Sequence, residues 1–516
     1  MQAAFVAAGI LLSRILGLVR ESLKARYLGA SGSIAADAFH AAFKIPNLLQ
    51  ALFGEAALSA SFIPVYANSL ARGDREQAAR IASAVGAFLA LITAGIVLLG
   101  VTFSHVLVSV IAPGFTGEKR ELTVLLTRIL FPGAALFVFS AWCLGILNSH
   151  RRFFLSYAAP VAWNAVMIAA LIWQRDASPT ALAYWIAWAS VVGAALQFLV
   201  QLPLVLRLTS GLHLTFGRGD PAVDQVKRNF VPAFFSRGAV QISGYVDQVI
   251  ASYLPTGAVS LLFYTQTISM LPISLFGIAI SAAELPEMSS ATGEESARLA
   301  HIRARLQNGL RRIAFFVIPS AIGFIFVGDV VIAALFKSGR FTALDARYTW
   351  GILMAAAIGL LATTLARLYS SAFFALNDTR TPFRIALLRV GTAGALGAVL
   401  ALQGPRWIGV DPAWGAAMIA VASSTAGWVE LLFLRSRLNP RIGSTGVPAM
   451  LTLKLLVAAV VAGTAAFGLH HVLPDVHRFA VAAIVLPVYG AVYLGGTLLQ
   501  RVPEALDLAR RLRLAR

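Results

Sequence analysis

The chain contains one cysteine, Cys143, in 516 residues. A lone thiol excludes an internal disulfide framework and any metal cluster built on cysteine. Charge is also scarce: only 13% of residues are Asp, Glu, Lys or Arg, about half the share in soluble domains. Acidic groups are the rarer sign, 23 against 42 basic ones, for a net charge of +19. The eight histidines (His40, His105, His150, His213, His301, His470, His471 and His477) show no metal-ligand spacing. No Gly-rich phosphate loop ending in Lys-Ser/Thr occurs, so ATP is not the direct energy source. The loops near 208–223 and 287–307 lack the carboxylate-rich site that a polytopic glycosyltransferase needs. These absences exclude a soluble enzyme, a disordered tail and a secreted disulfide scaffold.

What the chain has in abundance is apolar sequence. Apolar residues make up 58% and mean hydropathy is +0.78. Apolar runs long enough to cross a bilayer fall near 3–30, 36–68, 80–112, 121–148, 156–174, 181–207, 224–253, 257–286, 308–336, 345–376, 382–402, 412–435, 448–471 and 478–500. The expected fold class is an all-α polytopic membrane protein with about fourteen transmembrane helices. The opening MQAAFVAAGILLSRILG reads as the first span, not as a cleaved signal. Placing both termini in the cytoplasm puts 24 basic residues in one set of loops and the tail, and 8 in the opposite set. That bias follows the positive-inside rule and accounts for the basic balance without nucleic acid.

The sequence repeats itself. Tyr27-Leu28 and Tyr253-Leu254 lie 226 residues apart, as do Ile45-Pro46 and Leu271-Pro272. Leu147-Asn148 precedes Leu376-Asn377 by 229, and Ser13-Arg14 precedes Ser236-Arg237 by 223. The copies are six spans apart, so the pattern predicts two parallel six-helix lobes with a cavity where they meet. The expected organisation is an N-terminal lobe over 1–208 (spans 1–6), a C-terminal lobe over 224–435 (spans 7–12), two extra helices over 448–500 and a basic amphipathic tail over 503–516. The tail is expected on the membrane surface or free in solvent.

Ionisable groups at membrane depth mark the candidate site. On span 1, Arg14, Arg20, Glu21 and Lys24 fit within an arc of about 120° at 100° per residue. On span 2, Asp37, His40, Lys44, Asn47, Glu55 and Ser59 form a similar stripe, with Pro46 as a kink. Span 7 contributes Arg237, Gln241, Asp247 and Gln248. Two such stripes predict a hydrated, net-cationic cavity; a closed ion-pair network is the alternative. Arginine matches phosphate through two parallel hydrogen bonds and keeps its charge, so a diphosphate suits such a cavity better than a neutral drug.

At SRILGLVRE (Ser13–Glu21), ADAFHAAFKIPNLL (Ala36–Leu49), FGEAALSASFIPV (Phe53–Val65) and NDTRTP (Asn377–Pro382), the chain resembles the MurJ/MviN family of lipid II flippases. These belong to the multidrug/oligosaccharidyl-lipid/polysaccharide exporter superfamily. The likeness runs over essentially the whole chain. It implies a central cationic cavity, and a groove toward spans 13 and 14 for a polyprenyl tail. The implied cargo is lipid II, an undecaprenyl-diphosphate-linked peptidoglycan precursor flipped from the cytoplasmic to the periplasmic leaflet by alternating access. It further implies a bacterial inner-membrane protein that is no enzyme, works as a monomer among membrane lipids and associates with the cell-wall synthesis machinery. Arg14, Arg20 and Asp37 match positions of function in the family. This chain departs from the family at Gln50-Ala51, where basic residues are common, and at Thr267 on span 8, where many members carry arginine. Arg237, the repeat partner of Arg14, is the expected replacement. No cofactor is expected beyond a monovalent ion, sodium or chloride, with Asp247 and Asp378 as candidate sodium ligands. Asp378 as a simple helix cap is the competing reading. The functional alternatives are a cation-coupled multidrug antiporter and a flippase for another lipid-linked glycan.

Overall fold

The computed structural model describes residues 2–209, 212–213, 215–217, 219–290, 294–474 and 477–511, with the side chains of 2–8, 10, 54–56, 231–243 and 511 outside the description. All regular structure among these residues is helical. In order the helices are α1 (Gln2–Leu28), α2 (Ile34–Gln50), α3 (Ser59–Ala71), α4 (Arg75–Thr102), α5 (Ser104–Ile111), α6 (Gly117–Ser149), α7 (Phe153–Trp173), α8 (Pro179–Leu208) and α9 (Pro221–Ser252). They continue with α10 (Ala258–Pro272), α11 (Ala279–Ser289), α12 (Glu295–Leu335), α13 (Ala343–Ala375), α14 (Arg380–Ile408), α15 (Gly415–Ile442), α16 (Ala449–Val472), α17 (Arg478–Leu499) and α18 (Pro503–Arg511). α2 runs into α3 through a π-helical stretch, Ala51–Leu58, and α10 into α11 through another, Ile273–Ile278.

Eleven helical segments among the described residues are long and apolar enough to cross a membrane. α1, the α2–α3 segment and α9 fall outside that set, and they are the ones carrying Arg14 to Lys24, Asp37 with Lys44, and Arg237 with Asp247. Counting them gives the expected fourteen segments. Large apolar side chains stand exposed along the helices, Leu91 at 65% and Leu98 at 68% on α4 for example. In water such a surface would aggregate; against acyl chains it is matched.

Local chemistry sets the helix starts. Ser33 Oγ accepts from Ala36 N at the head of α2, and Asp74 Oδ1 from Gln77 N at the head of α4. Thr342 and Asp345 close a reciprocal capping box on α13. The internal repeat is visible in the helices themselves. α6 and α13 are each 33 residues long, and both ends of α13 lie 226 residues after those of α6.

The chain divides into two compact units, residues 1–260 with 339–341, and 261–338 with 342–516. α9 therefore packs with the first unit, although the repeat offsets put it at the head of the second lobe. Among the described residues, the first unit has one apolar core around Phe53, Phe62, Tyr66 and Trp142 and another around Phe39, Phe43, Leu130 and Met167. The second unit centres on Leu306, Leu310, Tyr369 and Phe373. A further core, around Phe315, Leu455 and Tyr493, takes in Val502 and Ala505 at the tail. The tail helix α18 thus hides its apolar face against protein, with Ala505 and Ala509 fully buried, and Glu504 Oε1 pairs with Arg311 Nε at 2.7 Å. Over its described residues the tail's apolar stripe is covered from within the chain.

α12 also departs from expectation. It begins at Glu295, thirteen residues before the apolar run at 308. The added segment, ESARLAHIRARLQ, is charged but rich in good helix formers, so the helix continues where the apolar signal stops.

Candidate functional site

On α1 the polar stripe gathers around Glu21, which is 3% exposed. Its Oε1 accepts from Arg20 Nε at 3.0 Å and Nη2 at 2.6 Å, and its Oε2 lies 2.7 Å from Lys24 Nζ. α7 completes the group. Arg20 Nη1 donates to Asn164 Oδ1 at 2.7 Å, and the guanidinium carbon sits 4.2 Å from the Trp163 ring centroid. Both partners are themselves fixed. Asn164 Nδ2 donates to Pro160 O at 3.0 Å, and Trp163 Nε1 to Ser190 O at 3.2 Å. Phe43 stacks on Trp163 with centroids 5.9 Å apart, and Lys24 Nζ lies 5.3 Å from the Phe39 ring.

Two cations share one carboxylate, so Arg20, Glu21 and Lys24 together carry one positive charge. Lys24 is sealed, 1% exposed, whereas the Arg20 side chain keeps 13%. Arg20 uses three of its five N–H donors in the bonds just named. Arg14, earlier on α1, is exposed. The closed-network alternative thus describes Lys24 and Glu21, while Arg14 and part of Arg20 face outward.

The α2 stripe does not stay together. Asp37, 1% exposed, belongs to a different group. Its Oδ2 meets Lys119 Nζ at 2.8 Å and accepts from Gly257 N at 2.8 Å. Its Oδ1 accepts from Ser260 N at 2.9 Å and Ser260 Oγ at 2.8 Å. Asp37 is therefore an N-cap supplied to α10 from another helix, where the exposed backbone N–H groups and positive end of the helix dipole favour a carboxylate. Both of its oxygens are engaged by these partners. Gly257 is required here. Its φ is +112°, and a Cβ would lie 2.6 Å from Ser31 Cα.

Lys44 donates to Gly244 O, accepts a hydrogen bond from Tyr245 Oη at its own carbonyl, 2.8 Å away, and feels the charge of Asp247. His40 is buried, Asn47 is exposed and Asp247 is partly buried. The side chains of Glu55, Arg237 and Gln241 lie outside the described residues. Thr267 bonds back to Phe263 O at 3.0 Å within its own helix.

Asp378 caps α14, accepting from Thr381 N at 2.9 Å and Thr381 Oγ1 at 2.8 Å, and Arg441 Nη1 lies 2.7 Å from its Oδ2. These contacts fit the helix-cap reading of Asp378, with Arg441 as its charge partner. Among the described residues no three His, Cys, Asp or Glu side chains gather as a metal site.

Four functional-looking residues escaped the sequence reading. Asn164 is a lone amide in an apolar run, a signal that was available. Lys119 reads as an ordinary loop cation, and only the fold brings it to Asp37. Glu430, 8% exposed, and Arg389 pair at 3.0 Å between α15 and α14; intramembrane charges on separate helices have no phase relation to reveal them.

A family model described as lipid II flippase MurJ matches residues 24–486. A lipid II flippase MurJ from Burkholderia cenocepacia is 33% identical over 383 residues, covering 73% of each chain. A probable lipid II flippase MurJ from Rhizobium tropici is 31% identical over 430 residues, covering 82% of this chain and 77% of the relative. Among solved structures, a lipid II flippase MurJ in an inward closed conformation superposes with a TM-score of 0.78 at 24% identity, covering 96% of this chain and 98% of the other. An inward-facing multidrug resistance MATE transporter of the MOP superfamily gives 0.67 at 16% identity, covering 83% and 95%. At these identities the structural likenesses speak for the fold.

Proposed function

The chain belongs to the lipid II flippase MurJ family, and from that premise we propose how its residues move lipid II from the cytoplasmic to the periplasmic leaflet. The observation that carries the reading is the Arg20–Glu21–Lys24 cluster, a net positive charge held in a membrane-spanning helix beside the exposed Arg14. Arg20 and Arg14 bind the diphosphate. Glu21, Asn164 and Trp163 hold the Arg20 fork in one orientation, so little rotamer entropy is lost when the anion arrives. The two donors Arg20 has left suit one bidentate phosphate contact without breaking the Glu21 pair. Lys24 stays a structural partner that limits how much of the Arg20 charge Glu21 cancels.

Transport by alternating access needs no covalent step, so the protein acts as a carrier and not an enzyme. It sits in the bacterial inner membrane as a monomer with both termini cytoplasmic, associating with the cell-wall synthesis machinery. Arg237 supplies the cation that Thr267 does not. A monovalent ion, sodium or chloride, couples the cycle, with Asp247 as an oxygen donor for sodium. The drug-antiporter alternative is disfavoured by the flippase family match.

The test is depletion of the protein with an assay of lipid II sidedness. Lipid II should become inaccessible from outside the cell, and parent protein but not Arg20→Ala should restore access. Unchanged accessibility on depletion overturns the reading; full rescue by Arg237→Ala overturns the role given to that residue.

A further inference from the structure

The second unit carries an open cleft of about 460 Å³ between the charged first half of α12 and the end of α15. Its volume is in the range of small-ligand sites. Both charged side chains along it are arginines, Arg303 and Arg441. Leu299 and Ile442 give it an apolar wall, and Ser296 and Gln307 add neutral polar groups.

The cleft is built, not a gap between mobile side chains. Gln307 clamps the connecting loop at both ends of one peptide position, donating to Gly446 O and accepting from Gly446 N at 3.2 Å. Thr445 is tied by its backbone N and hydroxyl to Asn439 Oδ1, at 3.1 and 2.6 Å. Arg303 Nε donates to Ser444 O at 3.1 Å, and its Nη1 would lie 2.9 Å from a Cβ at Gly443, where φ is +89°. The backbone at Gly443 thus leaves room for the Arg303 guanidinium, and any side chain there would push it away. Arg441 is oriented by its bond to Asp378 and lies 5.5 Å from the Phe373 ring centroid. Each arginine spends one N–H donor in the hydrogen bonds just named, out of five.

We propose that this cleft binds a phosphate group, as a monoester or diphosphate, either free or at the head of a lipid. Two pre-oriented guanidinium groups present the paired donors that phosphate oxygens match, and the wall of Leu299 and Ile442 accepts the adjoining apolar part of a lipid. The chemistry is shared by a phospholipid headgroup and by a free phosphate compound. The site lies within the second unit alone and does not rest on the lipid II reading.

A local probe tests it. Cys143 is fully buried, so Ser296→Cys places one accessible thiol at the cleft. The full-length variant is alkylated with neutral N-ethylmaleimide, whose local concentration is unaffected by surface charge. One arm adds inorganic pyrophosphate to protein in detergent; the other compares nanodiscs of phosphatidylcholine with nanodiscs containing phosphatidic acid. At least a threefold slowing is expected in one arm or both. Slowing with pyrophosphate assigns a free ligand, and slowing with phosphatidic acid assigns the membrane. Adding Arg303→Ala and Arg441→Ala should abolish the effect, and Arg303→Lys with Arg441→Lys should retain part of it. Equal rates in all conditions, or slowing that survives the double alanine variant, overturns the proposal.

Discussion

Lys119 Nζ lies 2.8 Å from Asp37 Oδ2, pairing the first turn of α6 with the first turn of α2 around a carboxylate that also caps α10. Neither residue advertises the other in sequence, 82 positions apart. Asp37→Asn keeps the shape but removes the charge and turns donors toward donors. With Lys119 left beside an uncharged amide, thermal stability in detergent should fall by about 2–3 kcal/mol. Lys119→Met alone should cost less, and the double variant less than the sum. Additive losses would show that the two side chains do not act together.

Glu21 is the shared partner of the buried Lys24 and the partly buried Arg20, so removing its charge should be worse than removing either cation. Glu21→Gln leaves Arg20 and Lys24 facing each other and should destabilise by about 3–5 kcal/mol. Glu21→Gln combined with Lys24→Met should recover most of that loss. Failure of the second change to restore the melting temperature would count against the shared-carboxylate picture.

Asn164 orients Arg20 without belonging to the net charge. Asn164→Ala should cost about 1 kcal/mol of stability yet lower lipid II flipping by about tenfold. Thermal unfolding and the sidedness assay separate these effects. Equal flipping at a lowered melting temperature would make Asn164 a packing residue only.

His150, in the turn after α6, accepts or donates to Tyr66 Oη at 2.9 Å. Burial first, then the charges of Arg75 and Arg152, lower its proton affinity below the ordinary value of 6.5. The unfolded chain therefore takes up the proton first as pH falls. Stability is full above 6.5 and declines as pH drops through that value toward the lower folded one. His150→Gln removes this component. The melting temperature of the parent relative to the variant should be flat above neutrality and fall between about pH 7 and 5. A pH-independent difference would contradict the assignment.

Asp378 is a cap and an arginine partner. Asp378→Asn should destabilise equally in sodium, potassium and choline buffers, measured by thermal unfolding. A loss confined to sodium would restore the ion-ligand reading.

The helical segments and the grouping of Arg20 and Lys24 about Glu21 were legible because hydropathy and helical phase are properties of one segment at a time. Depth was not. Asp37 and Lys44 share a helical phase, but seven residues separate them by about 10 Å along the axis. One meets the loop at the end of the unit, and the other meets Gly244 further in. The α12 extension was missed because an apolar run records lipid contact and says nothing of where helix propensity ends. The tail's apolar stripe announced a need for cover, and only the packing of Val502 and Ala505 shows that protein supplies it.

The two π-helical stretches, Ala51–Leu58 and Ile273–Ile278, follow Pro46 and Pro272, the prolines related by the repeat. A widened turn accommodates one residue more than an α-turn does. Deleting a single residue within 51–58 should therefore tighten the coil and leave α3 facing the same neighbours. The same deletion inside α3 would swing every later side chain by about 100°. These segments hold a residue of slack, so that a shorter chain could keep the facing of the helices beyond them.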